Sequence, residues 1–145
     1  MKIGFASDHR GYRLKKELIE IFKEEYEVKD YGTFTEDSTD YPIYAFELCE
    51  KINEEIDRGI LICGTGIGIS IAANKVKGIR CAKIATEEEA CLCRLHNNAN
   101  VIAFGEKTDI DLAKKMVTSF LTTDFSEGER HIQRLKEIEV YENDC

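Results

Sequence analysis

Residues 58–75, RGILICGTGIGISIAANK, determine the fold that we expect for this chain. They begin with an apolar run over residues 59–62, which is typical of a strand buried inside a parallel sheet. The run leads into Cys63 and a glycine loop over residues 64–68, and residues 69–75 then predict the start of a helix. Backbone N–H groups at a helix start lack internal partners, so a strand–loop–helix unit of this kind can bind an anion. In open α/β sheets ligands bind beyond the carboxyl ends of the strands, which is where the thiol of Cys63 is expected.

Two purely structural interpretations of this stretch stay open on the pattern alone. The spacing Gly64-x-Gly66-x-Gly68 differs from the dinucleotide fingerprint and lacks the Gly-Lys-Ser/Thr ending of a P-loop. The glycines could therefore serve only a tight turn between strand and helix. Cys63 is one of six cysteines, and a small buried core residue is the ordinary role for such a side chain.

Length and composition predict one globular domain over residues 1–145, because 43% of the residues are hydrophobic and the chain can bury a core of its own. The formal charge of −8 argues against nucleic-acid and acidic-membrane partners. No apolar run approaches the length of a membrane span, and the first residues lack the apolar segment of a secretory signal. No Cys-x-x-Cys pair is present, so we expect reduced thiols in a cytoplasmic protein.

Alternating strand and helix patterns predict a Rossmann-like, doubly wound sheet of five parallel strands with helices on both faces. The strands are expected at residues 2–7, 26–31, 59–62, 79–86 and 100–104. Helices are expected at residues 12–25, 43–56, from 69 onward, 87–95, 108–121 with Thr108 as N-cap, and about 126–142.

Polar loops follow several of these strands on the rim where the carboxyl ends meet. Asp8 and His9 come directly after the first strand, near the loop that begins at Cys63. An N-capping aspartate with an exposed histidine is one interpretation, and a pair of ligand contacts at the rim is the other.

His96 lies in a turn, LHNNAN over residues 95–100, that ends one predicted helix and precedes the next strand. Helix termination explains some of the asparagines, since Asn adopts the left-handed conformation readily. This turn is expected at the rim opposite Cys63 within one subunit. If His96 is catalytic, it must therefore reach the loop of another subunit, which predicts a homodimer with shared sites.

Arg130 and Arg134 lie four residues apart near the start of the last predicted helix, so they share one helix face. Two guanidinium groups on one face can clamp a phosphate. The alternative is a solvated surface on which both arginines pair with nearby glutamates.

Together, five stretches resemble the type B ribose-5-phosphate isomerases, a family that also includes isomerases of allose and galactose 6-phosphates. They occur in matching order along nearly the whole chain: Ser7-Asp8-His9, Thr39-Asp40-Tyr41-Pro42, the block CGTGIGISIAANK that starts at Cys63, Arg94-Leu95-His96-Asn97, and Arg130-His131-Ile132-Gln133-Arg134. The resemblance implies conversion of an aldose phosphate to a ketose phosphate, ribose 5-phosphate to ribulose 5-phosphate, without a metal or an organic cofactor.

The resemblance also implies a role for each matched residue. Cys63 matches the base that moves a proton through a cis-enediolate, Thr65 lies near that thiol, and His96 from the partner subunit matches the acid that opens the sugar ring. The implied substrate-binding residues are Asp8, His9, Gly64, Gly66, Ile67, Gly68, Asn97, Lys107, Arg130 and Arg134. Among them, His9, Arg130 and Arg134 match the phosphate-binding set, and Asn97 comes with His96 from the partner subunit.

Two departures from the family pattern concern the phosphate site. Lys107 stands where the family often has arginine, and lysine supplies charge without a two-pronged guanidinium. Glu129 stands where the family commonly has a second glycine before the Arg-His pair, and a carboxylate there would weaken phosphate binding unless it points outward.

Three other functions remain compatible with the sequence. The same mechanism could act on a six-carbon sugar phosphate. For any of these functions, the sequence does not decide between a dimer and a tetramer. A noncatalytic nucleotide- or phosphate-binding module is possible because fold does not fix function. A thiol redox role would need a partner cysteine near Cys63, and the sequence supplies none at short spacing.

Overall fold

The computed structural model describes residues 1–144, in which strands and helices alternate from the first strand to the last. The strands are β1 (Lys2–Ser7), β2 (Glu27–Asp30), β3 (Arg58–Cys63), β4 (Cys81–Lys83) and β5 (Val101–Gly105). The helices are α1 (Tyr12–Phe22), α2 (Tyr41–Cys49), α3 (Ile67–Ala73), α4 (Glu87–Asn97), α5 (Ile110–Thr122) and α6 (Glu129–Asn143).

The strands form one sheet in the order β2-β1-β3-β5-β4, and every neighbouring pair is parallel. The predicted five-stranded parallel sheet is confirmed. Ser7 lies opposite Ile62 and Cys63 lies opposite Gly105, so β1, β3 and β5 end side by side. The loops that follow these three strands therefore meet around the end of β3.

Side chains of β3 alternate between two buried layers, as the pleat of a strand requires. Ile60 and Ile62 pack with α1, α4 and α5, whereas Leu61 and Cys63 pack with α2 and α3. Both faces of β3 are thus covered, which explains why its sequence is continuously apolar. Burial of each aliphatic side chain among them, Ile60, Leu61 and Ile62, stabilises the fold by about 1.5–3 kcal/mol.

The predicted helix over residues 43–56 was too long, because α2 ends at Cys49. The following residues form turns, in which Asn53 has a φ of 70°. Ile52 and Ile56 are nevertheless buried in the layer of α2 and α3. The helical spacing of these two residues therefore reflects their burial in a turn, although α2 does not continue through them. The strand predicted over residues 79–86 is likewise shorter, at Cys81–Lys83, where it forms the edge of the sheet.

The predicted N-cap Thr108 was wrong by one residue. Asp109 caps α5, since its carboxylate accepts the N–H of Asp111 at 3.1 Å. The hydroxyl of Thr108 instead donates to the carbonyl of Gly105 at 2.7 Å, which fixes the turn after β5.

Helix α6 begins at Glu129 and not at the predicted residue 126. Ser126 instead donates its N–H at 3.2 Å and its hydroxyl at 2.7 Å to the carbonyl of Leu95, which ties this segment to the end of α4. No residue of α6 is buried, although the helix carries several apolar side chains. Over residues 1–144, no helix combines the length and the apolar composition needed to cross a lipid bilayer.

Candidate active site

Cys63 is the last residue of β3, and only 4% of its surface is exposed. Its sulfur accepts the backbone N–H of Gly66 at 3.2 Å. An N–H donated to sulfur stabilises negative charge there. Cys63 therefore belongs to the apolar layer of α2 and α3 and at the same time has a polar contact with the loop that follows it.

The position of that amide depends on Gly66 having no side chain. Gly66 has a φ of 83°, in the left-handed region that favours glycine. A Cβ there would lie 2.7 Å from the backbone Cα and C atoms of Phe104 in β5. The N–H group of residue 66 can therefore reach the Cys63 sulfur only because this residue is glycine.

Thr65 lies in the same loop but is not bonded to the thiol. Its hydroxyl accepts the N–H of Ile67 at 3.2 Å and its side chain is exposed. Ser70 donates its hydroxyl to the carbonyl of Ile67 at 2.7 Å and fixes the first turn of α3. The Gly66 amide is the hydrogen-bond partner of the sulfur, and a catalytic role of Thr65 beside the thiol stays a prediction.

Asp8 is not the N-cap of α1, because Gly11 holds that position and α1 has no side-chain cap. The Asp8 carboxylate accepts the N–H groups of Arg10 at 3.0 Å and Gly11 at 3.1 Å, which fixes the turn between β1 and α1. Its own N–H donates to the carbonyl of Ile62 at 3.3 Å, so the residue also lies beside Cys63. The carboxylate is thus held firmly at the rim and is almost completely buried.

His9 is held by Thr39, the first residue of the quoted Thr-Asp-Tyr-Pro stretch. Its N–H donates to the Thr39 hydroxyl at 2.9 Å, and its ring Nδ1 lies 3.1 Å from the Thr39 N–H. The same Nδ1 lies 3.2 Å from the Thr39 carbonyl, so the Thr39 backbone occupies Nδ1 and Nε2 is the ring nitrogen left to contact a ligand. Tyr41 of the same stretch lies against residues 63–68, here called the cysteine loop, since a Cβ on Gly68 would be 2.6 Å from the phenol ring.

Arg10 and Glu106 also reach this rim, and the sequence interpretation missed both. Arg10 Nη2 and Nε lie 2.7 Å and 3.0 Å from Glu106 Oε1, and the Glu106 N–H donates to the Cys63 carbonyl at 2.9 Å. The hydrogen bond and charge of Glu106 raise the pKa of Arg10, with smaller contributions from Asp8 and Cys63. Lys107 follows Glu106 in the same turn with an exposed side chain. The position of Arg10 next to the Asp-His pair was the signal that could have identified it.

A second polar group lies where α4 ends and α6 begins. The rings of His96 and His131 stack with centroids 4.5 Å apart and planes 15° apart. Burial, together with the charges of His96, Arg130 and Arg134, lowers the pKa of His131. Asn97 is the last residue of α4 and is exposed, as are both arginines on α6.

The turn that carries His96 is fixed by Arg94, which is 6% exposed. Its guanidinium donates to the carbonyls of Thr123 at 3.0 Å and Ala99 at 2.7 Å, and to the side chain of Asn98 at 2.8 Å. Burial lowers the pKa of Arg94 to about 10. Asn98 has a φ of 45° and ends α4, so the helix-termination interpretation was right for that asparagine.

These two groups lie at opposite rims of the sheet. Cys63 is at the carboxyl end of β3, whereas Gly59 at its other end donates its N–H to Asn100, next to the turn of His96. A strand of this length separates its ends by roughly 17 Å. At the rim of Cys63, one chain brings together Asp8, His9, the cysteine loop and Lys107. At the opposite rim, the same chain groups His96, Asn97, Arg130 and Arg134. The resemblance had grouped the two arginines with His9, and within one chain they are apart.

Comparison with known proteins gives matches over nearly the whole chain. Residues 3–138 match the ribose/galactose isomerase family. A putative sugar phosphate isomerase of Bacillus subtilis is 47% identical over 146 residues, covering 98% of this chain and 97% of its own. Ribose-5-phosphate isomerase B of Escherichia coli is 44% identical over 144 residues, covering 97% and 96% of the two chains.

Solved structures give the same result. Ribose-5-phosphate isomerase B of Clostridium thermocellum superposes with a TM-score of 0.95 at 46% identity, covering 99% of each chain. The Mycoplasma genitalium enzyme with bound ribulose 5-phosphate superposes with a TM-score of 0.93 at 40% identity, covering 99% of this chain and 97% of the other. This chain belongs to the ribose/galactose isomerase family and is an aldose–ketose isomerase.

Proposed function

We propose that this chain interconverts ribose 5-phosphate and ribulose 5-phosphate through a cis-enediolate, with Cys63 as the base. The observation that carries the proposal is the Cys63 sulfur at the end of β3, which accepts the Gly66 amide at the rim where Asp8 is bonded to the neighbouring Ile62 carbonyl. Similarity to ribose-5-phosphate isomerase B of Escherichia coli supports the choice of substrate.

The reaction needs a base at carbon and stabilisation of the charge that forms on oxygen. The Cys63 thiolate takes the proton from C2 of the open-chain aldose, and negative charge moves onto O1. The sulfur then returns the proton to C1 while the O2 proton passes to O1, which leaves the ketose. Backbone amides of the loop residues Gly64 and Gly68 are proposed to receive the oxyanion. One such donor contributes roughly 3–4 kcal/mol to lowering the barrier.

Phosphate binding and ring opening are proposed to need two copies of the chain. The sugar phosphate would bind at the cysteine loop of one copy, beside His9 Nε2 and Lys107. The second copy would contribute His96, Asn97, Arg130 and Arg134 to the same site. The separation of the two groups to opposite rims supports this arrangement. So does α6, which has no buried residue and exposes Ile132, Ile138 and Val140. A dimer is the smallest assembly with such shared sites, and a tetramer would contain the same pair.

A cytoplasmic location is also proposed. The five cysteines in the described part of the chain, Cys49, Cys63, Cys81, Cys91 and Cys93, are free thiols. Thiols stay reduced in the cytosol, which supports this location.

The decisive experiment follows the ribose 5-phosphate reaction in heavy water for the wild type, Cys63→Ser and the control Cys91→Ser. Cys91 is a half-buried cysteine on α4, outside the cysteine loop. We expect isomerisation with deuterium at the exchanging carbon for the wild type and the control, and loss of both by at least about a thousandfold for Cys63→Ser. Near-normal turnover of Cys63→Ser would remove the thiol from the mechanism.

Two further substrates separate the alternatives. Allose 6-phosphate and galactose 6-phosphate are assayed beside ribose 5-phosphate, and we expect the highest kcat/KM for the five-carbon sugar. A wild-type protein that binds all three sugars without deuterium exchange would instead be a noncatalytic binding module.

A further inference from the structure

The ion pair between Arg10 and Glu106 spans the mouth of the cysteine loop. Arg10 follows β1 and Glu106 follows β5, and β3 with Cys63 lies between these two strands. Two guanidinium nitrogens contact the same carboxylate oxygen, at 2.7 Å and 3.0 Å. Neither residue belongs to the set that the family resemblance assigns to the reaction.

The guanidinium group lies directly against the residue that follows Cys63. A Cβ on Gly64 would be 3.4 Å from Arg10 Cδ and Nε and 3.6 Å from Cζ. Glu106 is tied to the same place by its backbone, because its N–H donates to the Cys63 carbonyl at 2.9 Å. The ion pair is therefore attached to the cysteine loop from two sides, although 54% of the Arg10 side chain is exposed.

The charges around the loop come from every element that packs on it. Asp8 after β1 and Glu106 after β5 are the nearby carboxylates, and α2 contributes the phenol of Tyr41. Arg10 is the cation that lies against Gly64, and Lys107 and His9 lie on the same rim. The interactions of Arg10 with Asp8 and Cys63 add to the dominant effect of Glu106 in raising the pKa of Arg10. Because the Arg10 side chain lies against Gly64, the residue that follows Cys63, its charge lies close to the residue that carries the sulfur.

We propose that Arg10 is a positioning residue for Cys63, whose positive charge increases the reactivity of the thiolate, and that Glu106 holds this charge in place and partly neutralises it. The inference rests on the proposed function, in which the thiolate is the reacting base. Because Arg10 is exposed, solvent screens its charge. Exposed charge pairs of this kind change an equilibrium by about two- to fivefold.

The test measures how fast neutral iodoacetamide alkylates Cys63 at pH 7, with the Cys63 peptide followed by mass spectrometry. Arg10→Gln removes the cation and should slow alkylation about two- to fivefold. Glu106→Gln removes the neutralising carboxylate and should speed it about twofold. Arg10→Lys keeps the charge and should stay close to the wild type. If the ion pair only braced the loop, Arg10→Gln and Glu106→Gln would change the rate in the same direction, and that result would overturn the proposal.

Two controls isolate the charge. Arg13 pairs with Glu36 at 2.9 Å on the exposed surface of the chain, so Arg13→Gln removes a matched surface ion pair and should leave Cys63 alkylation unchanged. High salt shortens the range of exposed charges to about 3 Å at 1 M, so the differences among the Arg10 and Glu106 variants should shrink there. Differences that persist undiminished in 1 M salt would contradict an electrostatic role.

Measurement of kcat and KM for isomerisation provides a second test on the same variants. We expect kcat of Arg10→Gln to fall about two- to fivefold, in parallel with alkylation, and KM to change little. A raised KM with unchanged kcat would mean that Arg10 contacts the substrate phosphate instead. Alkylation needs no isomerase activity, so failure of Arg10 to affect the thiol is distinguishable from failure of Cys63 as the base, which Cys63→Ser tests.

Discussion

Gly66→Ala adds one methyl group at the point where the cysteine loop crosses β5. The new Cβ would lie 2.7 Å from the Cα and C atoms of Phe104, and these backbone atoms in a buried strand cannot move aside. Overpacking of this kind costs about 1–3 kcal/mol. The left-handed φ of 83° adds about 1–2 kcal/mol for a residue with a side chain. The expected loss of folding free energy is therefore about 2–5 kcal/mol.

The chain supplies a matched control for the backbone part of that cost. Gly78 has the same φ of 83°, and a Cβ placed on it meets nothing within 4 Å. Gly78→Ala should therefore cost only about 1–2 kcal/mol. Urea unfolding of both variants measures the difference, which isolates the contact with Phe104.

The second part of the prediction concerns the kcat of Gly66→Ala. Relief of the clash must move the Gly66 amide, which lies 3.2 Å from the sulfur, and shift the neighbouring loop amides. Misplacing such donors costs roughly a hundredfold or more in kcat. Gly66→Ala should therefore lose kcat by at least this factor, whereas Gly78→Ala should retain it. Equal destabilisation of the two variants, with kcat of Gly66→Ala intact, would refute the reasoning.

Three further predictions concern the group at the opposite rim. His96→Asn should reduce turnover of the cyclic sugar far more than that of an open-chain analogue, because ring opening is a separate proton transfer; equal losses in both assays would contradict this role. Arg130→Ala and Arg134→Ala should each raise KM for ribose 5-phosphate about tenfold, since charged hydrogen bonds to phosphate are strong; unchanged KM in both would favour the solvated-surface interpretation. The pKa of His131 is lowered in the folded chain, so the unfolded chain binds a proton more readily. The stability it contributes is present above the ordinary pKa of about 6.5 and is lost as the pH falls through the folded pKa. His131→Phe, which retains an aromatic ring, should show a smaller decrease in the urea midpoint between pH 7.5 and 5.5, and an identical decrease would argue against the assignment.

Local features of the sequence predicted most of the fold correctly. The run before Cys63 is continuously apolar because β3 is covered on both faces, and that signal needs no knowledge of other strands. Helical spacing of apolar residues was a poorer guide at Ile52 and Ile56, which are buried in a turn after α2. Periodicity reports burial, and burial alone does not specify the backbone conformation.

Contacts between residues far apart in the sequence could not be predicted from the sequence. Arg10 and Glu106 are 96 residues apart, and His9 and Thr39 are 30 apart. The Arg10–Glu106 pair forms because β1, β3 and β5 end side by side, and the His9–Thr39 pair forms because Thr39 follows β2, the other neighbour of β1. No local pattern encodes which strands become neighbours.

The sequence by itself determined the alternation of strands and helices, the place of Cys63 at a strand end and the polar residues available for chemistry, because each depends on residues close together in the chain. Only the tertiary structure decided the strand order, the Arg10–Glu106 pair and the grouping of Arg130 and Arg134 with His96. These depend on how the helices cross the sheet and on where α6 packs, and such packing is set by burial of whole faces.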